Sequence, residues 1–460
     1  MPPKSPVSLR SALLLALACL PLLACSLFSS LLPSAALTPS GDPPAVETGA
    51  PVAVTSAASP PVSATPPAPA ALPTVAAEGL VVVYVRDGNL WRWSPDGPVQ
   101  LTTAGEVYTP LISPDGRMAA FLRPADEFHL EIWAVNLDGT QERRLVGVAD
   151  LDTIGGGVRD PSAVAVNPYQ LAWVPGSGAL AFNTHQVFQG PGTALLNDLN
   201  LVDPATGKVT NLLLSGWGGM FTYSPDGKQI AIVQPEKLFL TGADGANYRL
   251  ALEHPAVNTY SEARFYARPY WLPDSSALRV AIPPADPLAA PAQPTALWTI
   301  PADGGAPRQD GQLLTVPFID QPVSYSPDAQ RVAYLSPTGA PAENRRELHL
   351  AAYDGGGDWS FASAPLLQFS AWSPDGQRFA YVLGENGEAW WGGLQNGPAP
   401  LDGVPAGIAR LRWIDGRRFL AASRQIASFE LLLGAVDSQP IVLDALLDSP
   451  FAFDFWQPSP

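Results

Sequence analysis

Short apolar runs separated by polar turn residues dominate the chain from residue 79 onward. Representative runs are Met-Ala-Ala-Phe at residues 118–121, Ile-Ala-Ile-Val at residues 230–233 and Phe-Ala-Tyr-Val at residues 379–382. Gly, Pro, Asp and Asn interrupt these runs, and no 3.6-residue period passes through them. The pattern therefore predicts an all-β fold of short antiparallel strands.

One stretch predicts how the strands are connected. Residues 372–381 read Trp-Ser-Pro-Asp-Gly-Gln-Arg-Phe-Ala-Tyr, in which apolar positions lie on both sides of a turn. Proline presets φ near −65° at the second turn position, Asp bonds its own backbone, and Gly adopts the left-handed conformation that other residues resist. We therefore expect a strand, a tight turn and a second strand.

Versions of this turn recur along the chain, at residues 113–116, 174–177, 224–227, 272–275, 326–329 and 414–416. The turn prolines are separated by 61, 50, 48, 54 and 47 residues. Each interval also contains a second turn, such as Asp138-Gly139 or Asn396-Gly397. This period matches one blade of four strands, called a to d here, with tight turns between a and b and between c and d.

The Ser-Pro-Asp-Gly turns, with an aromatic residue before them and an apolar strand after them, resemble the TolB-like β-propeller repeat, a relative of the WD repeat. The resemblance covers residues 79–460. It implies a ring of four-stranded blades. It implies little about function, because the shared motif is a turn.

The two ends of this region complement each other. Residues 80–103 have the pattern of strands b, c and d without a strand a, whereas residues 451–458 have the aromatic residues and proline of a strand a alone. We therefore expect the last strand to pair into the first blade, which removes exposed sheet edges. The prediction is a single closed β-propeller of eight blades, or of seven if the irregular unit around Pro175 or the weak unit around Asp415 is merged or absent.

The N-terminus has the features of a secretory leader. Lys4 and Arg10 precede an apolar run at residues 11–23 that is short for a membrane span. The run ends in Leu-Leu-Ala before Cys25, which resembles the lipobox of bacterial lipoproteins and implies lipidation of Cys25. Cys19 is a weaker candidate, and an ordinary cleaved secretory signal is the alternative.

The chain thus divides into three predicted parts. Residues 1–24 are the signal peptide, residues 25–78 are the lipidated N-terminus with a tether rich in Pro, Ala, Ser and Thr, and residues 79–460 are the propeller. We expect an extracytoplasmic protein anchored to a membrane, at the cell surface or in the periplasm. Both cysteines of the chain lie in the leader region, so no disulfide is expected in the mature protein.

Charge and motif content narrow the function. A net charge of −16 and a pI near 4.6 argue against nucleic-acid binding, which requires Lys and Arg at phosphates. No Gly-x-Ser-x-Gly motif occurs, and the four histidines, His129, His185, His254 and His349, lack metal-ligand spacing. The sequence predicts no catalytic residue, metal or cofactor.

Candidate binding residues follow from loop length. The b–c and d–a connections are long and leave the blades at one end, whereas the a–b and c–d turns at the other end are tight. Tyr and Arg dominate interface hot spots. We therefore predict a binding surface on the long loops, at Tyr260, Glu262, Arg264, Phe265, Tyr266 and Arg268, with Arg159, His185, Arg345 and Arg346 as further candidates.

These features favour a monomeric, non-catalytic binding or scaffold module for an envelope or extracellular protein, with a peptide or glycan also open as partner. The alternative is a propeller-type carbohydrate-active enzyme, either a polysaccharide lyase or a hydrolase, or a glycan-binding protein. Convergent titratable groups at the mouth of the ring would favour the enzyme. An aromatic surface would favour binding.

Overall fold

A computed structural model describes residues 73–155, 159–190, 192–314, 321–339 and 343–458. Within these ranges the chain forms strands β1 to β33 and one short helix, α1 (Val148–Gly155). The predicted all-β class is confirmed. The predicted signal peptide, Cys25 and residues 25–72 of the predicted tether lie outside the described residues.

Most of the sheets are built from consecutive strands, paired antiparallel in the order a, b, c, d. Their bounds are as follows: β4 (Tyr108–Ile112), β5 (Met118–Pro124), β6 (Leu130–Asn136) and β7 (Arg143–Val146); β8 (Ala163–Trp173), β9 (Leu180–Phe188), β10 (Thr193–Leu195), β11 (Leu199–Val202) and β12 (Val209–Leu213); β13 (Met220–Tyr223), β14 (Gln229–Gln234), β15 (Lys237–Gly242) and β16 (Arg249–Glu253); β17 (Tyr270–Trp271), β18 (Ala277–Ile282), β19 (Thr295–Pro301) and β20 (Arg308–Leu313); β21 (Ser324–Tyr325), β22 (Arg331–Pro337), β23 (Arg345–Ala352) and β24 (Trp359–Pro365); β25 (Gln368–Trp372), β26 (Arg378–Leu383), β27 (Glu388–Gly393) and β28 (Ala399–Pro400).

One further sheet joins the two ends of the described chain. Its strands are β29 (Ile408–Trp413), β30 (Arg418–Arg424), β31 (Phe429–Ala435), β32 (Ser438–Leu447), β1 (Val81–Arg86), β2 (Asn89–Ser94), β3 (Gly97–Gln100) and β33 (Phe453–Trp456). Strand β33 pairs antiparallel with β1, from Val81 opposite Trp456 to Tyr84 opposite Phe453. The expectation that the last strand pairs into the first unit is confirmed. No sheet among the described residues closes on itself.

The b strands are buried on both faces. In β5, β14, β26 and β30, the central residues are buried in succession rather than alternately. Both faces of such a strand are covered, so its sequence is a continuous apolar run instead of an alternating one. This explains the short apolar runs that mark the sequence.

The repeated turn holds itself together with its own side chains. In the turn before β26, Ser373 Oγ donates to Asp375 Oδ1 at 2.6 Å, and the Gly376 N–H donates to the Ser373 carbonyl at 2.8 Å. The Gln377 N–H donates to the same carboxylate oxygen at 3.0 Å. In the related turn at residues 224–227, the Ser224 hydroxyl is the main cause that lowers the pKa of Asp226 to about 2. These Asp residues therefore have a structural role in turns.

Tryptophan indoles link the a strands of successive sheets. Each donates its Nε1–H to a backbone carbonyl of the preceding a strand: Trp173 to Leu111 at 3.2 Å, Trp271 to Thr222 at 3.2 Å, Trp372 to Ser324 at 3.2 Å and Trp413 to Ala371 at 3.1 Å. A buried carbonyl needs a donor, and the tryptophan before each of these four turns supplies it. The recurring aromatic thus joins neighbouring sheets.

Strand β33 contacts neighbours on both sides through Asp454. One carboxylate oxygen accepts from Arg412 of β29 at 2.8 Å, and the other accepts from the Ile112 N–H of β4 at 2.8 Å. Trp456 also donates to the Pro114 carbonyl at 2.9 Å. The C-terminal strand therefore connects the last repeat, the first β-strands and the β4–β7 sheet.

The chain packs against β32 before β1 begins. The Gln439 N–H donates to the Pro73 carbonyl at 2.9 Å, and Arg418 donates to the Ala76 carbonyl at 3.1 Å. Val75 is buried. These contacts fall within residues 73–78, which the sequence interpretation placed at the end of the tether, and they lie beside the tight turns of the β29–β32 repeat.

The long connections that the sequence predicts include residues 183–196 and 358–367, yet both segments contain strands. Residues 183–196 belong largely to β9 and β10, because β9 extends beyond its pairing with β11 and there pairs Gln186 with Ala194. Residues 358–367 contain β24, which pairs along β23. In both places a neighbouring strand supplies the hydrogen-bond partners, and the local sequence alone does not predict that pairing.

Candidate functional site

The connection at residues 254–269, between β16 and β17, forms one wall of a pocket of about 300 Å³. It lies at the end of the sheets from which the b–c and d–a connections leave, called the loop end here. The opposite end, with the a–b and c–d turns, is called the turn end. The pocket is lined by Tyr169, Leu195, Met220, Arg264, Phe265, Tyr266, Ala267, Arg268, Ala281, Pro283, Thr295, Pro322 and Val323.

Four of the predicted binding residues come together in this wall. Phe265 and Tyr266 are half-buried and pack on the apolar cluster shared by β14, β15 and β18, whereas Arg264 and Arg268 are exposed. Burial raises the pKa of Tyr266, and the nearby Arg264 opposes that effect. Packing of the two aromatic rings thus fixes the loop and leaves both guanidinium groups at the pocket.

Tyr169 forms the opposite wall. It lies where the β8–β9 register shifts between Pro168 and Leu171, and 45% of its surface is exposed. Its ring meets the His185 imidazole edge-on, with centroids 5.2 Å apart. Burial lowers the pKa of His185 to about 4, so this histidine is neutral near pH 7. The sequence identified His185, but it gave no signal for Tyr169.

Thr295 forms part of the floor. It is the first residue of β19 and is fully buried, and its Oγ1 has no hydrogen-bond partner among the described residues. His254, which packs edge-on against Phe265, directs Nδ1 to the Pro255 carbonyl at 2.8 Å, and its Nε2 likewise lacks a partner in the described chain. Other buried atoms of the described chain also lack partners, but within the described lining Thr295 Oγ1 is the one that does.

Tyr260 and Glu262 lie outside the lining, on the exposed part of the same connection. The Tyr260 hydroxyl donates to Asp286 in the neighbouring connection at residues 283–294, and this hydrogen bond raises the pKa of Tyr260. Tyr260 therefore ties two long connections together beside the pocket.

Arg159, Arg345 and Arg346 are not brought to the pocket. Arg159 donates twice to the Ala163 carbonyl, at 3.0 and 2.7 Å, and once to Asp152, so it joins the segment after α1 to β8. Arg345 lies 3.6 Å from a Glu343 oxygen. Both Arg345 and Arg346 begin β23 rather than lying in a loop.

Exposed large apolar side chains favour the loop end. Those that lie in connections are all in b–c or d–a segments: Leu214, Trp217, Tyr260, Leu288, Leu314, Ile426 and Phe451. Among the described residues, none lies in an a–b or c–d turn. Clustered exposed apolar residues mark surfaces for partners.

The pocket combines cationic and aromatic groups without acids. Its described lining contains two guanidinium groups, two phenols and one buried hydroxyl, but no Asp, Glu, His or Cys. In the part of the chain that the structure describes, no three His, Cys, Asp or Glu side chains form a group suited to a metal ion. No described helix has the length and apolar character to cross a membrane.

Comparison with solved structures finds similarity of fold. A eukaryotic initiation factor matches with a TM-score of 0.51 and 10% identity, over 83% of this chain and 98% of that one. The β-propeller domain of the Trilobed protease from Pyrococcus furiosus matches with a TM-score of 0.42 and 13% identity, over 60% and 84%. TolB from Acinetobacter baumannii matches with a TM-score of 0.32 and 15% identity, over 61% and 62%.

No protein-family model and no curated protein sequence matches the chain. At 10% identity, the similarity to the initiation factor concerns the fold alone. The other two TM-scores are below 0.5, so no conclusion on function rests on them. The matches include both TolB and a domain of a protease, and they leave open whether this chain is an enzyme.

Proposed function

We propose that this chain is an extracytoplasmic lipoprotein whose β-propeller binds a protein partner at its loop end. The observation that carries the proposal is the pocket edged by Arg264 and Arg268 and walled by Tyr169 and Tyr266. Arg and Tyr are the residue types that anchor interfaces. Exposed Tyr260 and other apolar side chains of the long connections extend this surface beyond the pocket.

The propeller part of the proposal is a closed ring of eight blades. Seven repeats with their own a strands, together with the composite of β33 and β1 to β3, make eight units, of which seven have four strands and β8–β12 has five. The contacts of Asp454 with Arg412 and with the Ile112 N–H support closure, because they join the last repeat to the β4–β7 sheet through β33. Closure protects the edge strands.

Binding fits the pocket better than catalysis does. General acid–base chemistry uses a positioned carboxylate, histidine, lysine or tyrosine. The described lining holds no Asp, Glu, His or Lys, and burial raises the pKa of Tyr266, one of its two tyrosines. His185 lies behind Tyr169 rather than in the lining. An enzyme of the lyase or hydrolase kind therefore has no specific support from this pocket.

The anchor part of the proposal places the lipid on Cys25. The described chain starts at Pro73 beside the turn end of the β29–β32 repeat. Because residues 73–78 pack on the repeat, the free tether runs from residue 33 to residue 72 and reaches roughly 35 Å as a coil or roughly 125 Å as extended polyproline II. Attachment at the turn end leaves the loop end free to meet a partner.

The anchor is tested by labelling cells with a clickable palmitate analogue. We expect label on the wild-type protein and on Cys19→Ser, and loss of both label and membrane association for Cys25→Ser, because the acylated cysteine is the attachment point. Labelled Cys25→Ser would exclude this lipidation site. Loss in Cys19→Ser alone would move the site to Cys19.

The binding surface is tested by cross-linking in native membranes, followed by affinity purification and mass spectrometry. The loop-end variant combines Tyr260→Ala, Arg264→Ala and Tyr266→Ala. The control combines Arg117→Ala and Lys228→Ala, whose side chains are 83% and 80% exposed at the turn end. We expect the control to retain the partner captured by the wild type and the loop-end variant to lose it.

Thermal melting must accompany this comparison, because Tyr266 is half-buried and Tyr260 ties two connections together. A loop-end variant that melts like the wild type and still captures the same partner would contradict the proposed surface. Loss of the partner in the turn-end control would move the surface to the opposite end.

A further inference from the structure

We infer that the pocket beneath residues 264–268 binds the C-terminal residue of the protein partner, with its free carboxylate at Arg264 and Arg268 and its apolar side chain on the floor. This inference rests on the proposed function, since it names the part of the partner that the loop end recognises. The supporting observations are the apolar floor and, among the described residues, two cations and a Thr295 hydroxyl that have no partner.

The two arginines are available for an incoming anion. The chain has 42 acidic against 26 basic residues, and many of its arginines are paired, as Arg123 is with Glu142 and Arg412 is with Asp454. Arg264 and Arg268 are exposed and make no ion pair or side-chain hydrogen bond with a described residue. Guanidinium groups bind carboxylates through two parallel hydrogen bonds, which makes a carboxylate the natural ligand.

The floor is suited to one apolar side chain. Met220, Ala281, Pro283 and Val323 line it, together with the half-buried ring of Phe265. Its volume of about 300 Å³ lies at the lower end of the range for small-ligand pockets. A pocket of this size accepts the end of a chain rather than an extended segment.

Thr295 supplies a polar contact that the protein leaves unused. Its hydroxyl is fully buried within the lining and has no partner among the described residues. A hydroxyl both donates and accepts, and a small opening of the floor on binding would let it bond a carboxylate oxygen or a backbone amide of the bound residue. Satisfying this group on binding favours a ligand with polar backbone atoms close to its apolar side chain.

A chain terminus combines these features in one residue. Its carboxylate, amide and apolar side chain share a single Cα, which matches cations at the edge, a hydroxyl in the wall and an apolar floor. An internal Asp or Glu has a charged side chain and therefore leaves the floor to a neighbouring residue. An acidic sugar presents hydroxyl groups to the apolar floor, where they would be desolvated without partners.

The test uses full-length protein in detergent and a fluorescein-labelled peptide, Gly-Ser-Gly-Ser-Ala-Phe, with either a free or an amidated C-terminus. Fluorescence anisotropy should report saturable binding of the free acid and at least tenfold weaker binding of the amide. Raising the salt concentration should weaken binding of the free-acid peptide more than binding of the amidated peptide, because the carboxylate contact is ionic. Equal affinities of the two peptides would overturn the inference.

Variants locate the site. Arg264→Ala with Arg268→Ala should weaken free-acid binding at least tenfold, whereas Arg424→Ala, which removes an exposed arginine outside the pocket, should leave it unchanged. Arg264→Lys with Arg268→Lys should retain part of the affinity. Thr295→Val should weaken binding several-fold without lowering the melting temperature. Unchanged binding by the double alanine variant would exclude this pocket.

Competition experiments and the cross-linking result together distinguish failure of this inference from failure of the proposed function. Unlabelled free-acid peptide should displace the probe, and displacement by oligogalacturonate alone would replace the peptide with an acidic sugar. If the loop-end variant loses its cross-linked partner but the probes show no carboxylate preference, the proposed function stands and the inference fails. If the wild type captures no partner, the proposed function fails, whatever the probes report.

Discussion

A residue in the left-handed conformation closes each Ser-Pro-Asp-Gly turn. Gly116, Gly227 and Gly376 have φ values of 69°, 69° and 66°. The related turns without glycine keep the same conformation, with Ser275 at 61° and Ala329 at 57°. The paired strands therefore impose the conformation, and glycine makes it less costly.

Gly376→Ala should lower the free energy of unfolding by about 1–2 kcal/mol, because an added Cβ is strained at this φ although it meets only Pro327 at 3.5 Å. Gly397→Ala is the matched control, since Gly397 has no positive φ and nothing lies within 4 Å of its added Cβ. Urea denaturation monitored by tryptophan fluorescence measures both. Equal stabilities of the two variants would contradict the strain argument.

At the scale of elements, the a strands are held to one another by side chains. The a strands other than β4 end in an aromatic residue at the same position of the repeat, and the contact of that residue differs with its identity. Trp372 donates to the Ser324 carbonyl at 3.2 Å, whereas the buried Tyr325 hydroxyl has no partner among the described residues. Burial raises the pKa of Tyr325, as expected for a phenol without a donor.

Trp372→Phe should lower the free energy of unfolding by about 2–3 kcal/mol, because it removes ring volume and leaves the Ser324 carbonyl without this donor. Tyr325→Phe should be neutral or stabilising by up to about 1 kcal/mol, since it removes an unpaired hydroxyl. Thermal melts of the two variants provide the measurement. If Tyr325→Phe melts at a lower temperature than the wild type, the Tyr325 hydroxyl makes a stabilising contact and the prediction is wrong.

At the scale of the whole molecule, β33 is the element on which the proposed ring closure depends. It is distant in sequence from β1, yet it supplies the a strand of the first unit and carries the buried Asp454. A carboxylate buried between Arg412 and the Ile112 N–H is stabilising only while both partners stay in place.

Deletion of residues 451–460 should lower the free energy of unfolding by roughly 5 kcal/mol or more, because it removes Phe453 from the core. It should also promote aggregation, because it exposes the edge of β1. Deletion of residues 458–460, which keeps β33 intact, is the control. Melting curves and light scattering measure the two effects. A chain without β33 that melts like the control would refute ring closure by this strand.

Local chemistry determined the features that the sequence predicted well. Pro, Asp and Gly specify turns through their own φ values and side-chain hydrogen bonds, so the period and the strand order follow from residues such as Ser373 and Asp375. The pairing of β33 with β1 followed from the strand that residues 80–103 lack and residues 451–458 supply. The sequence also predicted which end of the sheets carries the long connections, because connection length is a property of the sequence. On that basis the sequence predicted Arg264, Phe265, Tyr266 and Arg268 as binding residues. The structure brings the four to one pocket, and their role in binding stays a prediction.

Only the tertiary structure decided which residues form the pocket. Tyr169 and Thr295 are 126 positions apart, and neither lies in a motif, yet strand packing places them in one lining. In the same packing, Arg159 donates to the Ala163 carbonyl and Arg345 lies in β23, so neither residue lines the pocket. Contacts between distant segments depend on how the sheets stack, and residue type along the chain does not encode that arrangement locally.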